Sequence, residues 1–186
     1  MASKVRAHVR GQRSQSMVEF AIVAPLLLLL MFVMVDFGRV IYTYITLNQA
    51  VNEAVRVAIR DSALLPTNGD VESAAKIHAV DVNLANPCAN GPITTAAPPP
   101  NQGWIYITEP NPPPVVETLS PTLQNAPGGQ RWAVDNGTCS ATNPAFNHAP
   151  LQVTIRYHFV PMTPLINQFI TSNLVISAAA VYRTEY

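Results

Sequence analysis

No acidic residue precedes Glu19, and no charge of either sign interrupts the stretch from Phe20 to Val35. Charge is sparse throughout, at 12% of residues, and the formal net charge is zero. That zero conceals an asymmetry. Lys4, Arg6, Arg10 and Arg13 all stand before the apolar stretch, which leaves the remainder slightly acidic and excludes a broad basic surface for nucleic acid there. Cysteine is scarce as well. Cys88 and Cys139 have no Cys or His neighbour at ligand spacing, so a zinc cluster is not expected. The chain has no P-loop, no Gly-rich dinucleotide turn and no nucleophile motif, and its four histidines, His8, His78, His148 and His158, are scattered. These absences leave no catalytic residue, metal site, cofactor or small-molecule substrate to name. The expected class is a structural or binding protein rather than an enzyme.

What is present begins with the apolar stretch itself, FAIVAPLLLLLMFVMV. At helical rise, Phe20 to Val35 extends roughly 24 Å, slightly short of a hydrocarbon core of about 30 Å. Val40, Ile41, Tyr42, Tyr44 and Ile45 continue the apolar character beyond Asp36 and Arg39. Arg39 is suited to snorkel to the interface, and the tyrosines suit the headgroup level. Pro25 is tolerated near the start of a membrane helix. The residues after the stretch, DFGRVIY, carry no small-x-small pattern of the kind a signal peptidase needs. The basic flank predicts a single-pass anchor with its N-terminus in the cytoplasm and its C-terminal part exported. Glu19 is costly to insert, by roughly 3 kcal/mol at a helix centre and less near an interface. It either rests among headgroups or meets a positive group on a neighbouring subunit. Asp36 and Arg39, one turn apart, are placed to pair and to mark the outer boundary.

Residues 1–14 read as a basic, disordered cytoplasmic leader. A helix is predicted from about Gln15 to about Leu65. In its second half Leu47, Ala50, Val51, Ala54, Val55 and Ala58 share one face. Pro66 and Asn68-Gly69 end it, and Asp70 caps a second helix running to about Asn83, with Val71, Ala74, Ala75, Ile77 and Val80 as its apolar positions. Residues 86–150 are Pro-rich and read as a long surface excursion, with short strand candidates at Trp104 to Thr108 and Arg131 to Val134. Leu151 to Phe159 alternates with a period of two, as a strand with one buried face does. Leu165 to Phe169 suggests a helical turn. Leu174 to Tyr182 is apolar on both faces except at Ser177, so a central strand is predicted there. His158 falls on the polar side of its strand and is expected to be solvated. The fold class is therefore α+β: a long N-terminal transmembrane helix whose second half packs on a small antiparallel sheet, within an exported domain spanning 66–186.

Two thiols in an oxidising space most often pair. A bridge between Cys88 and Cys139 would close a loop of about fifty residues and remove roughly 4 kcal/mol of unfolded-state freedom in the chain-entropy model. The alternative is two separate buried thiols.

The N-terminal region resembles that of TadE-like proteins of the tight-adherence (Tad) pilus system. The residues that carry the resemblance are Val18-Glu19-Phe20-Ala21, Pro25, the leucine run, Asp36-Phe37-Gly38-Arg39, and Ala50, Ala54 and Ala58. The closing strands, ending in AAAVYRTEY, are also similar. The resemblance implies a pilin-like protein of the bacterial cytoplasmic membrane, a minor pilin or pseudopilin or else an assembly component. Its implied partners are the membrane, other pilins or pilus assembly proteins, and a prepilin-type peptidase. It also implies cleavage between Ser14 and Gln15, which makes Glu19 the fifth mature residue and a subunit contact. Ser14 stands where family members commonly carry glycine, so a cleaved subunit and an uncut anchor both remain open. A membrane-anchored exported adhesion module that never enters a filament is the competing reading.

Overall fold

Two hydrophobic faces meet to make the core. One is the stripe of Leu47, Ala50, Val51, Ala54, Val55 and Ala58, all buried. The other is the inner face of a sheet, supplied by Ile105, Ile107, Leu151, Val153, Ile155, Tyr157, Phe159, Ile176 and Ala178. The computed structural model describes residues 6–61, 64–84, 96–110, 127–128, 145, 148–163 and 174–186. Within these, helix α1 runs Arg6–Ile59, α2 Asn68–His78, and the strands are β1 Gly103–Thr108, β2 Pro150–Phe159 and β3 Leu174–Arg183. The sheet is antiparallel in the order β1-β2-β3. Each fully buried Val, Leu or Ile contributes about 1.5–3 kcal/mol. The exposed Glu53–Arg56 pair, at 3.1 Å, belongs to a class that contributes at most about 1 kcal/mol. Apolar burial, not surface charge pairing, therefore holds the helix to the sheet.

Helix α1 starts and stops earlier than its sequence predicts. The backbone is helical from Arg6, so the leader is not wholly irregular. Its arginines, alanine and glutamine are good helix formers, and Gly11 costs only about 1 kcal/mol in a helix interior. At the other end the helix closes at Ile59 rather than Leu65. The terminal carbonyls that a helix leaves unpaired are taken up by the end of the chain. The Glu185 amide donates to the Ile59 carbonyl at 3.0 Å, and the Tyr186 hydroxyl donates to the Ala58 carbonyl at 3.0 Å. Burial pushes that hydroxyl's pKa above its ordinary value.

The second helix is likewise displaced. Its N-cap is Thr67, and Asp70 is the third helical residue of a capping box: the Asp70 amide donates to Thr67 Oγ1, and the Thr67 amide donates to Asp70 Oδ2 at 2.9 Å. Asn68-Gly69 thus opens α2 instead of serving as a turn, and α2 stops at His78, short of Asn83. This phase buries Asn68, Val71, Glu72 and Ala75 and leaves Ile77 and Val80 outside. The Asn68 side chain decides it by pairing with a backbone segment from the Pro-rich region. Its Nδ2 donates to the Gly128 carbonyl at 2.6 Å, while the Gly128 amide donates to its Oδ1 at 2.9 Å.

The Pro-rich region is also less detached than its composition suggests. Strand β1 lies inside it, buries Ile105, Tyr106 and Ile107, and pairs along β2 from Gly103↔Tyr157 to Thr108↔Gln152. His158 is partly buried and also has a protein partner. Its Nδ1 lies 2.8 Å from the Pro98 carbonyl, which can only accept, so Nδ1 carries the proton. Among the described residues the central strand is β2, and β3 lies at the end of the strand order. The outer face of β3 carries Ser177 and Ala179 together with the exposed Val181. Cys88, Cys139, the candidate strand at 131–134 and the candidate turn at 165–169 lie outside the described residues.

Two outcomes follow from this packing. Asn68→Ala strands a buried amide and a buried carbonyl, and we expect a loss of about 2–4 kcal/mol in a urea titration of the full chain in detergent. Glu109, buried just beyond β1, has its carboxyl pushed from 4.5 to about 7 by burial. Between these values the unfolded chain releases a proton that the folded chain keeps, so stability falls as pH rises through this window and is level on either side. Glu109→Gln should flatten that profile and raise the urea midpoint above pH 7.

Candidate site at the junction of the apolar helix and the folded unit

Helix α1 changes surroundings at Asp36. Below it, Phe20, Leu26 to Val35 and their neighbours are exposed large apolar side chains. The segment is long and apolar enough to cross a membrane, and none of its apolar window is buried against the rest of the chain. Above it, Thr43, Thr46 and Leu47 are covered. Helix formation through this stretch follows from a run of leucines and methionines, with Pro25 accommodated inside it.

At the point of change Asp36 is only 5% exposed. Its carboxylate accepts hydrogen bonds from two backbone amides, from Arg39 and from the Thr163 side chain. The Met162 amide donates to Oδ1 and the Thr163 amide to Oδ2, both at 3.0 Å, and Arg39 Nη1 donates to Oδ1 at 3.2 Å. Met162 and Thr163 follow β2, so one carboxylate ties the sheet to the helix across more than a hundred residues of chain. Arg39 completes the arrangement: its guanidinium lies over the Phe159 ring, 5.0 Å from the centroid. The Tyr157 hydroxyl is raised by burial and held down in part by the Arg39 charge. Spacing of three predicts the Asp36–Arg39 pair. The two backbone amides from a remote loop have no counterpart in the local sequence, and they make Asp36 a clamp between helix and sheet. Phe37 remains 65% exposed, and Gly38 has open space around its Cα.

The other singled-out residues are near the start of the described helix. Gln15 Nε2 donates to Glu19 Oε1 at 3.3 Å, one turn away on an exposed surface. The Ser14–Gln15 peptide bond lies within continuous α1. Phe20 and Val35, the limits of the uncharged stretch, are both exposed. Among the described residues no group of three or more His, Cys, Asp or Glu is placed to hold a metal ion.

Residues 15–56 match the family model of TadE-like proteins. This helical segment is TadE-like. The matched stretch opens at the Gln15–Glu19 contact, contains the whole apolar run and the Asp36–Arg39 pair, and ends inside the buried stripe at Arg56. The TadE-like match points to involvement in Tad pilus assembly and lies entirely within α1, so the sheet falls outside it. Comparisons with curated proteins and with solved structures gave no match.

The clamp generates a graded outcome. Asp36→Ala leaves two amides and a guanidinium without their acceptor and should destabilise the folded unit by about 2–4 kcal/mol. Asp36→Asn keeps one carbonyl oxygen and should lose less. Limited proteolysis of both variants in detergent, followed by the onset temperature of digestion, reads the order.

Proposed function

We propose that this protein is a pseudopilin-like structural or assembly component of a Tad-type pilus, anchored by α1 in the bacterial cytoplasmic membrane. The observation that carries this reading is the family match over a helix whose apolar half is bare and whose other half is built into a folded unit. Such a helix leaves its lower surface available to lipid or to the helices of other subunits, while the upper stripe is already occupied. The domain at 66–186 is exported, and the chain acts without a catalytic step.

Processing between Ser14 and Gln15 supports filament entry in this reading. The bond is helical in the structure, so local unwinding precedes its access to a prepilin-type peptidase. Cleavage frees the Gln15 amine. The Gln15 side chain holds Glu19 only through one exposed contact at 3.3 Å, a weak interaction that a charged amine on a neighbouring subunit can replace. Pairing there offsets the cost of carrying Glu19 into an apolar bundle.

N-terminal sequencing of the protein from its native membrane tests the processing step. A start at Gln15 is expected, whereas an intact leader points to a permanent anchor. Glu19→Ala should leave the protein at normal abundance in the membrane while surface pili fall several-fold. Pili at wild-type number would argue against the subunit contact. Wild-type filaments combined with lost adhesion after removal of the Pro-rich region would favour the adhesion module instead.

A further inference from the structure

The loop after β2 has an unusual inventory of backbone donors. The Val160 amide donates to Asn101 Oδ1 at 3.2 Å, and the Met162 and Thr163 amides donate to the Asp36 carboxylate at 3.0 Å each. Pro161 and Pro164 have no amide hydrogen. Every backbone N–H from Val160 to Pro164 is thus either bonded or absent. A loop tip in water needs no such completeness; of the residues usual in turns, proline is present at 161 and 164, while Gly, Asn, Asp and Ser are missing. In hydrocarbon each unpaired donor is costly, so completeness is what that solvent demands.

The side chains agree. Met162 is 72% exposed, although it stands beside the bare apolar face of α1. Met31, Phe32, Val35, Asp36, Met162 and Thr163 line an apolar notch of about 330 Å³. That is roughly ten times the 30 Å³ share of one water in the liquid. Met31 and Phe32 lie about one turn below Asp36, on the side of the membrane stretch. Above the notch come Arg39, half-exposed over Phe159, and then the exposed Tyr42 and Tyr44, groups suited to the headgroup level.

We propose that the 160–163 loop is a membrane foot: Met162 dips into the bilayer, and a phospholipid acyl chain occupies the notch between it and Met31, Phe32 and Val35. This rests on the reading of Phe20 to Val35 as a membrane span. The notch continues that lipid-facing surface without a break. The clamp at Asp36 supplies the depth stop, because the loop cannot move along α1 without giving up its two amide bonds. The folded unit is thereby held against the membrane surface rather than swinging from a hinge.

The test uses the full chain in vesicles of phosphatidylethanolamine and phosphatidylglycerol. A benzoylphenylalanine photoprobe replaces Met162, Leu28 or Ile77 in turn, and adducts are identified by mass. Lipid adducts should form at positions 28 and 162, several-fold above position 77 on α2. Lipid at 28 with 162 resembling 77 leaves the span intact and overturns the foot. Lipid at neither 28 nor 162 removes both readings. A 162 adduct with a second copy of the chain in place of lipid also overturns the foot. Peroxide oxidation of the unmodified protein in the same vesicles gives an independent readout. Met162 should oxidise as slowly as Met31, and oxidation at the rate of an unstructured methionine peptide would refute the inference.

Discussion

One carboxylate determines how the two halves of this molecule relate. Asp36 closes the apolar stretch along the helix, and it also accepts the amides of Met162 and Thr163 from a loop distant in sequence. A buried charge with no partner would be expelled or neutralised. Here two amides, the Thr163 side chain and the Arg39 guanidinium satisfy it, so the group that costs most to bury becomes the group that orients the sheet on the helix. Above this point the helix stripe is covered by strands. Below it, side chains of the same apolar kind are bare. Between Asp36 and Thr43, Phe37, Ile41 and Tyr42 remain exposed, so the buried stripe begins about two turns beyond Asp36.

The same economy appears at the other end of the sheet. A helix as long as α1 must still satisfy its last carbonyls, and the residues that do so, Glu185 and Tyr186, follow the last strand. The helix is clasped at Asp36 by the loop that follows β2 and at Ala58 and Ile59 by the tail that follows β3. Between these clasps the stripe of leucine, valine and alanine packs on the sheet, and its small residues allow close approach. The orientation of the folded unit on α1 is therefore fixed at both ends of the stripe.

A TadE-like match confined to 15–56 fits this division of labour. The matched part holds the bare apolar run together with most of the stripe that receives the sheet. Strands β1, β2 and β3 lie outside the match.

Periodicity alone determined the apolar stretch, the stripe from Leu47 to Ala58 and the alternation of Leu151 to Phe159, because each depends only on side chains a few positions apart. Tertiary structure decided whatever depended on partners far along the chain. Ile77 is the larger apolar residue, yet α2 buries Asn68 and Glu72, because the Thr67–Asp70 cap sets the helix phase and Gly128 bonds to Asn68. Apolar content predicts a central position for β3, but the hydrogen-bonding order puts β2 there. His158 reads as a solvated residue from its strand position, and the Pro98 carbonyl found against it is supplied by a distant segment. Asp36 follows the same rule. Its pairing with Arg39 is written in a spacing of three, whereas its hold on Met162 and Thr163 exists only once the sheet has folded back onto the helix, since no local pattern encodes a bond to a backbone amide more than a hundred residues away.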